Sequence, residues 1–252
     1  MPRNATALRF QIESGLAGRI SAPFEYCDSS VEEKVSAGNP DADSLSGGLP
    51  RGAITEICGP TSSGRTSLLL AALASRTLAA EACAFIDGRD AFDPYSAQAT
   101  GVRLDQLLWV RCQNIDQALR ATDLVLHAGG FGLVVLDLGD IAPEIVNCVS
   151  PSVWFRFRRA VEHTPTIFLV LEQEPHAKSC ASLVLRMEAE TAHWSKAAND
   201  GQDLVPAPHG RLFASSCLRV EVVRSRGQPV TGQRSGPGAS AVSLKSKYCQ
   251  IA

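Results

Sequence analysis

Residues 59–67, GPTSSGRTS, have the residue types and the spacing of a loop that binds phosphate. The pattern for such loops is G-x-x-x-x-G-K-[ST]; Gly59, Gly64 and Thr66 match it, whereas Arg65 stands at the lysine position. The two glycines let consecutive N–H groups turn round an anion, and the helix that begins near Arg65 adds its dipole. Thr66 would place a hydroxyl on a magnesium ion. A strand-to-helix turn rich in Gly and Ser explains the same letters, so the loop alone leaves both interpretations open.

A second chemical signal lies downstream, in the segment GFGLVVLDLGD. Asp137 ends its apolar run, at the place where nucleotide-binding proteins put the carboxylate that holds the water shell of magnesium. An aspartate that only caps a turn at a strand end is the commoner case. Taken together with the loop at 59–67, Asp137 favours a nucleotide-binding fold.

The elements that must position these residues follow from the apolar pattern. Strands are predicted at 54–58, 83–87, 107–111, 133–137 and 166–171, and helices between them at 66–80, 115–127 and 153–163. This alternation predicts an α/β fold, a mostly parallel central sheet with helices on both faces. After residue 180, the runs SLVLRMEAE and CLRVEVVRSR alternate apolar and polar residues, which predicts antiparallel C-terminal strands that extend the sheet.

Composition limits the function classes. The chain has 252 residues and a formal net charge of -2, so binding to nucleic acid would need a local basic patch. Its 8 cysteines are spread singly, without the paired spacing of a zinc site. We predict neither a secretory signal nor a membrane span, and therefore a cytoplasmic protein with reduced thiols.

Three domains or segments are predicted along the chain. Residues 1–35 form an N-terminal helix and linker, 36–226 a core domain, and 227–252 a flexible tail that has too few large apolar residues to build a core.

Three blocks in order, GGLPRGAITEICGPTSSGRTSLLL, AFIDGRDAFDPYSAQATGVRLDQLLWVR and DQALRATDLVLHAGGFGLVVLDL, resemble the ATPase core of the bacterial recombinase RecA. The resemblance runs from about residue 36 to residue 226. Within the superfamily, the chain looks most like short RecA-like proteins of the ImuA type, which accompany an error-prone polymerase in damage-induced mutagenesis. It implies a P-loop core that binds ATP and Mg²⁺. The implied nucleotide-binding residues are Gly59, Pro60, Thr61, Ser62, Ser63, Gly64, Arg65, Thr66, Ser67 and Tyr95, with Thr66 and Asp137 on the metal.

The chain departs from the family at the residues that would perform hydrolysis. A guanidinium at Arg65 is bulkier than the family's lysine and cannot sit as a compact charge between two phosphates. The catalytic glutamate of the family falls on Arg89, which cannot act as a base; neighbouring Asp90 is the substitute to test. We therefore predict a degenerate ATPase with weak or absent hydrolysis and no assigned catalytic residue.

Other family positions are matched incompletely. The adenine-stacking tyrosine of the family falls on Ser96, one residue after Tyr95, which either stacks on adenine or packs on the neighbouring helix. Gln173 matches the glutamine that senses the terminal phosphate, but only EPHAKS separates it from Cys180, where the family has a long DNA-contacting loop. The other DNA-contacting loop, after Asp137, is also reduced.

Two arginine-rich segments complete the candidates. Arg224 and Arg226 match basic residues that reach a neighbouring subunit's ATP; alternatively they are solvated arginines on an edge strand. In the helix at 153–163, Trp154, Phe155, Arg156, Arg158 and Arg159 lie beside or outside the predicted core stripe. They suit a protein partner or single-stranded DNA, unless the arginines merely cover a buried tryptophan.

The resemblance and its departures favour an accessory protein of DNA-damage mutagenesis that acts through protein partners such as an error-prone polymerase complex. Weak binding of single-stranded DNA and self-association are subsidiary expectations. The main alternative is an active ATP-dependent recombination or repair protein; a regulatory module outside DNA metabolism is a third hypothesis, because fold does not fix function.

Overall fold

The structure is a computed structural model that describes residues 33–194, 213–226 and 241–247. All of these residues belong to one compact unit, residues 33–252. A helix is predicted within residues 1–35. Residues 1–32 of that segment lie outside the described residues.

The strands in the described part of the chain are short, except for two long ones near the C-terminal end. Their bounds are β1 Lys34–Val35, β2 Leu49–Pro50, β3 Ala53–Cys58, β4 Cys83–Asp87, β5 Leu107–Arg111, β6 Leu133–Asp137, β7 Ile167–Glu172, β8 Ala181–Trp194, β9 Phe213–Ser225 and β10 Ala241–Lys247. Strands β1 and β2 form a small antiparallel ladder of their own.

The helices connect consecutive strands, as the alternating pattern requires. Their bounds are α1 Pro40–Ser46, α2 Arg65–Leu78, α3 Pro94–Ala99, α4 Ile115–Ala128, α5 Pro143–Asn147 and α6 Pro151–Val161, with short 3₁₀ turns at Leu104–Gln106 and Lys178–Cys180. Asn114 begins α4, because its side chain accepts a hydrogen bond from the N–H of Gln117.

The main sheet has eight strands in the order β10-β9-β8-β3-β7-β6-β4-β5. Pairing is parallel from β8 across to β5, and antiparallel between β8 and β9 and between β9 and β10. The strand of the loop, β3, therefore lies in the middle of the sheet, between β7 and β8. The carboxyl ends of β3, β4, β6 and β7 meet at one edge, where α/β proteins place their sites.

The core has two layers because successive residues of a strand face opposite sides of the sheet. Phe85 belongs to the layer that includes Leu69 and Leu73 of α2. Its neighbour Ile86 belongs to the other layer, with Trp154 and Phe157 of α6. Helices thus cover both faces, which confirms the predicted α/β class with a mostly parallel sheet.

Two details differ from the sequence-based expectation. Strand β8 is parallel to β3, so the antiparallel part of the sheet begins only at β9. Within the predicted flexible tail of 227–252, residues Ala241–Lys247 form β10, which pairs with β9 over seven residues. An edge strand is held by backbone pairing to its neighbour, so a scarcity of large apolar residues does not exclude it.

Candidate nucleotide-binding site

The loop at 59–67 connects the buried strand β3 to helix α2 and presses against the antiparallel part of the sheet. A Cβ atom at Gly59 would lie 2.2 Å from the carbonyl oxygen of Met187 in β8. At Gly64, where φ is +85°, it would lie 2.2 Å from Cδ1 of Leu218 in β9. Glycine is required at both positions by close packing, and at Gly64 also by the left-handed backbone.

The loop presents features that suit an anion. Pro60, Thr61, Ser62, Thr66 and Ser67 are exposed, whereas Gly59, Ser63 and Arg65 are buried. The first turn of α2 contains no acidic residue, so the positive end of the helix dipole is not neutralised by a side chain of α2 itself.

Two buried polar atoms of this loop lack a hydrogen-bond partner among the described residues. They are Oγ of Ser63 and Nη1 of Arg65. A buried donor without a partner costs free energy, and a phosphate oxygen would supply the missing acceptor. The residues present therefore fit a bound phosphate group.

Arg65 does not extend into the open part of the loop. Its side chain is only 7% exposed and donates from Nη2 to the carbonyl oxygen of Gly139, just after β6, over 3.5 Å. Burial lowers the pKa of Arg65, and the negative charges of Asp137 and Asp140 partly offset this effect.

Three of the predicted residues meet at the backbone of Gly139. Asp137 accepts a hydrogen bond from the N–H of Gly139 at 2.8 Å, and Gln173 donates from Nε2 to its carbonyl oxygen at 3.1 Å. Arg65 approaches the same carbonyl. Burial raises the pKa of Asp137 to about 6, so this carboxylate gains charge stabilisation from any cation placed beside it.

A magnesium ion would have few protein ligands here. Within the described residues there is no group of three or more His, Cys, Asp or Glu able to hold a metal. Thr66 is exposed, and Asp137 is half-buried with one oxygen already bonded to Gly139. This fits the way Mg²⁺ usually binds, through one or two protein oxygens, phosphate oxygens and water.

The segment after β4 is organised by a different carboxylate, Asp87. Its oxygens accept hydrogen bonds from the backbone N–H groups of Arg89, Ala91 and Phe92 and from the indole of Trp109. Four donors to one buried carboxylate fix the course of this segment.

Asp90, the predicted substitute base, is engaged elsewhere. Arg111 at the end of β5 donates to both of its oxygens, at 2.6 and 2.5 Å, and this contact lowers the pKa of Asp90. A carboxylate with both oxygens bonded to a guanidinium is a poor proton acceptor. Arg89, which stands at the glutamate position of the resemblance, is exposed.

Tyr95 lies in the first turn of α3 and is 82% exposed. The alternative in which this tyrosine packs on the neighbouring helix is therefore wrong, and its ring is available to a ligand.

Arg224 and Arg226 in and just after β9 contact their own subunit. Arg224 donates to the carbonyl oxygen of Lys178 and Arg226 to that of Ser179. Both arginines thus brace the short connection between β7 and β8, a use that neither of the two predicted alternatives included.

Comparison with known proteins agrees with this geometry. The RecA N-terminal domain family matches residues 26–145, which include the loop at 59–67 and Asp137. Protein RecA of Deinococcus radiodurans is 47% identical over 91 residues, 36% of this chain and 25% of that protein. Protein RecA of Psychrobacter cryohalolentis and that of Acinetobacter baumannii are each 44% identical over 91 residues, 36% of this chain and 26% of theirs. Residues 26–145 of this chain thus resemble the RecA N-terminal domain.

The matched segment of this chain spans about a quarter of the length of the curated relatives. Gln173, Arg224 and Arg226 lie beyond the family match, so their roles rest on the geometry alone. None of the helices in the described part of the chain has the length and apolar character needed to cross a membrane.

Sequence reasoning missed a buried cluster beneath the loop at 59–67. Glu56 in β3 and Glu172 at the end of β7 are fully buried, and His176 follows in the β7–β8 connection. Nδ1 of His176 lies 2.8 Å from Oε2 of Glu172, and Oε1 of Glu56 accepts from the N–H groups of His176 and Ala177. A charged residue inside each apolar run, ITEIC and LVLEQ, was the available signal.

The two carboxyl groups of this cluster cannot both be charged at neutral pH. Burial, together with the hydrogen bond to Glu172 and its charge, raises the pKa of Glu56 to about 9. Burial raises the pKa of Glu172 to about 7 as well. Glu56 is thus the protonated member, and Glu172 keeps the negative charge beside Nδ1 of His176.

Proposed function

We propose that this chain is a RecA-fold accessory protein that binds ATP with Mg²⁺, hydrolyses it weakly or not at all, and acts through protein partners. Gly59 to Ser67 would hold the phosphates, Tyr95 would stack on adenine, and Thr66 and Asp137 would face the magnesium ion. Bound Mg²⁺ would neutralise charge on the phosphates.

The loss of hydrolysis is supported by one observation above all. The glutamate position of the family holds Arg89, and the adjacent carboxylate of Asp90 has both oxygens bonded to Arg111. No carboxylate of that segment is left to orient the attacking water, since Asp87 is occupied by four donors and Asp93 accepts hydrogen bonds at the start of α3. The unpartnered donors of Ser63 and Arg65 support retained phosphate binding.

The biological role follows from the resemblance. Likeness to relatives named Protein RecA supports a role in DNA recombination and repair, and the likeness to short ImuA-type proteins points to translesion mutagenesis with an error-prone polymerase complex. The shortened connection between Gln173 and Cys180 removes the segment with which the family contacts DNA, which favours protein partners over single-stranded DNA.

The test combines calorimetry and kinetics on the full chain. We expect saturable binding of ATP with Mg²⁺ and little or no release of phosphate, with or without single-stranded DNA. Robust hydrolysis stimulated by DNA would reject the proposal in favour of an active recombination protein. Recovery of a translesion polymerase in a pull-down would support the accessory role, whereas recovery only of partners outside DNA metabolism would contradict it.

A further inference from the structure

A small cavity opens between two short segments of the chain. It has a volume of about 80 Å³ and is lined on one side by the α5–α6 region and on the other by the β7–β8 connection. Its main lining residues are Val146, Val149, Trp154, Phe155, His176 and Cys180. This volume holds several water molecules or part of one side chain.

One wall of the cavity is apolar and the other carries a hydrogen-bonding group with no partner. His176 is only 7% exposed, and its Nε2 makes no hydrogen bond in the described part of the chain. Its Nδ1 is turned to the carboxylate of Glu172 at 2.8 Å. Nδ1 therefore carries the proton as a donor to Glu172, and Nε2 is left as an acceptor.

The backbone that carries His176 is also held in place. Glu56 accepts from the backbone N–H groups of His176 and Ala177, and Arg224 and Arg226 brace the next two residues of the same connection. The acceptor is thus preorganised rather than adjusted by binding. Since a buried polar atom without a partner is costly, the cavity calls for a ligand with a donor at the tip of an apolar body.

Basic side chains lie around the rim of the cavity. Phe155 is 49% exposed and lines both this cavity and a wider depression that includes Arg156 and Arg159. Lys178 lies at the cavity itself. Arg159 has no ion pair among the described residues.

Neither this cavity nor the wider depression has an acidic residue in its lining, and two acidic residues on the surrounding helices are already paired. Asp123 pairs with Arg156 at 2.7 Å, and Glu162 pairs with Arg158 at 3.7 Å. The surface around Phe155 therefore has unbalanced positive charge, which complements an acidic segment.

We propose that this cavity is the docking site of a protein partner that inserts a tyrosine side chain flanked by acidic residues. The phenol ring contacts Trp154 and Phe155, its hydroxyl donates to Nε2 of His176, and the acidic neighbours face Lys178 and Arg159. An aromatic anchor in a pocket surrounded by arginines is a frequent arrangement at protein interfaces. The proposal rests on the part of the proposed function that assigns protein partners, and not on nucleotide binding.

Short peptides test this chemistry directly by calorimetry or NMR titration on the full chain. The probes are acetyl-Asp-Tyr-Asp-amide, its phenylalanine analogue, and acetyl-Lys-Tyr-Lys-amide. We expect the first to bind about tenfold more tightly than the phenylalanine analogue, because only the hydroxyl satisfies Nε2. The basic peptide should bind several-fold more weakly than the acidic one. Equal affinity for the tyrosine and phenylalanine peptides, or no binding of either, would overturn the proposal.

Variants separate the cavity from its surroundings. Val149→Trp fills the cavity while leaving Glu56, Glu172 and His176 themselves unchanged, and it should abolish binding of the acidic tyrosine peptide. Leu124→Ala, at a residue 72% exposed on α4 and outside the cavity lining, should leave it unchanged. His176→Phe should remove the preference for tyrosine over phenylalanine, while unaltered preference in that variant contradicts the assigned hydrogen bond.

Two further measurements are needed. The first tests whether the surface binds nucleic acid instead of a peptide, and the second tests whether the cavity acts independently of the nucleotide loop. If oligothymidine binds the chain and Val149→Trp abolishes that binding, the surface is a nucleic-acid site and the proposal is wrong. Titration of the same variants with ATP and Mg²⁺ should give the parent's affinity. Failure of peptide binding with intact ATP binding would reject the docking site alone, and loss of both in the parent would reject the proposed function as well.

Discussion

The positive charge of the loop belongs to a guanidinium rather than an ammonium group, and the longer, planar side chain places that charge differently. Arg65 reaches past the loop and donates a hydrogen bond to the carbonyl oxygen of Gly139. The same oxygen accepts a hydrogen bond from Gln173, and the N–H of Gly139 donates to Asp137. A planar group with several donors can contact this peptide and a phosphate at the same time, since Nη1 is still unpartnered. Arg65 can therefore connect an anion in the loop to the end of β6.

Charge and shape at Arg65 can be separated by two substitutions. We expect Arg65→Ala to weaken the binding of ATP with Mg²⁺ by roughly tenfold or more, the usual worth of a charge-assisted hydrogen bond. Arg65→Lys keeps the charge and should stay within a few-fold of the parent. Calorimetry measures both. Unchanged affinity in Arg65→Ala would mean that this side chain takes no part in the pocket.

At the scale of elements, the nucleotide loop is supported by β8 and β9, which lie to one side of β3 in the sheet. Gly64 touches Leu218 of β9, and Gly59 touches the backbone of Met187 in β8. These contacts join the start of α2 to the antiparallel strands. A substitution in β9 that moves Leu218 would therefore alter the packing of the loop.

Gly64→Ala tests this packing. The added methyl group meets Leu218 at 2.2 Å and the backbone has φ of +85°, so we expect the free energy of unfolding to fall by about 2 to 4 kcal/mol. Gly130→Ala is the matched control, because φ there is +83° and nothing lies within 4 Å of an added Cβ. It should cost only about 1 kcal/mol, the strain of the left-handed backbone. Equal losses in urea denaturation would show that the contact with Leu218 is unimportant.

The brace on the β7–β8 connection makes a separate prediction. Removal of the guanidinium in Arg224→Ala frees the carbonyl of Lys178, so amide hydrogen exchange at residues 178–180 should become about tenfold faster. Arg219→Ala, an exposed residue of the same strand that pairs with Glu190, is the control and should leave this exchange unchanged. Protection that depends on protein concentration in the parent would instead favour a contact across subunits.

Local pattern predicted most of these elements, but not the contacts between them. The apolar runs gave β3 to β7 within a residue or two, because buried parallel strands are apolar on both faces. The pairing of Asp90 with Arg111 depends on the register of β4 beside β5, which no local signal encodes. Glu56 and His176 are 120 residues apart and meet only once β3 and β7 are neighbours.

At the scale of the whole molecule, the buried Glu56–Glu172–His176 cluster sits on the two central strands of the sheet. Because folding keeps Glu56 protonated while the unfolded chain releases that proton, the stability of the entire fold depends on pH. A carboxyl whose pKa is raised by folding stabilises the fold fully below its unfolded pKa of 4.5 and loses that contribution as pH rises towards about 9.

This dependence can be measured most clearly between pH 7 and 8.5. Below pH 6.5 the lowered pKa of His176 acts in the opposite direction, and Asp137 has finished titrating by pH 7. Between pH 7 and 8.5, Glu172, whose folded pKa is about 7, and the buried thiols, whose pKa burial raises, lower the stability in the same direction as Glu56. In that window we expect the proton of Glu56 to contribute a fall of about 1.4 kcal/mol per pH unit to the free energy of unfolding. Glu56→Gln keeps the shape and cannot titrate, so its slope should be shallower than the parent's by about that amount, whereas the exposed Glu144→Gln should retain the parent's slope. Parallel slopes in urea denaturation of Glu56→Gln and the parent would show that Glu56 is already charged in the folded protein, and the hydrogen bond that orders the cluster would then have to run in the other direction.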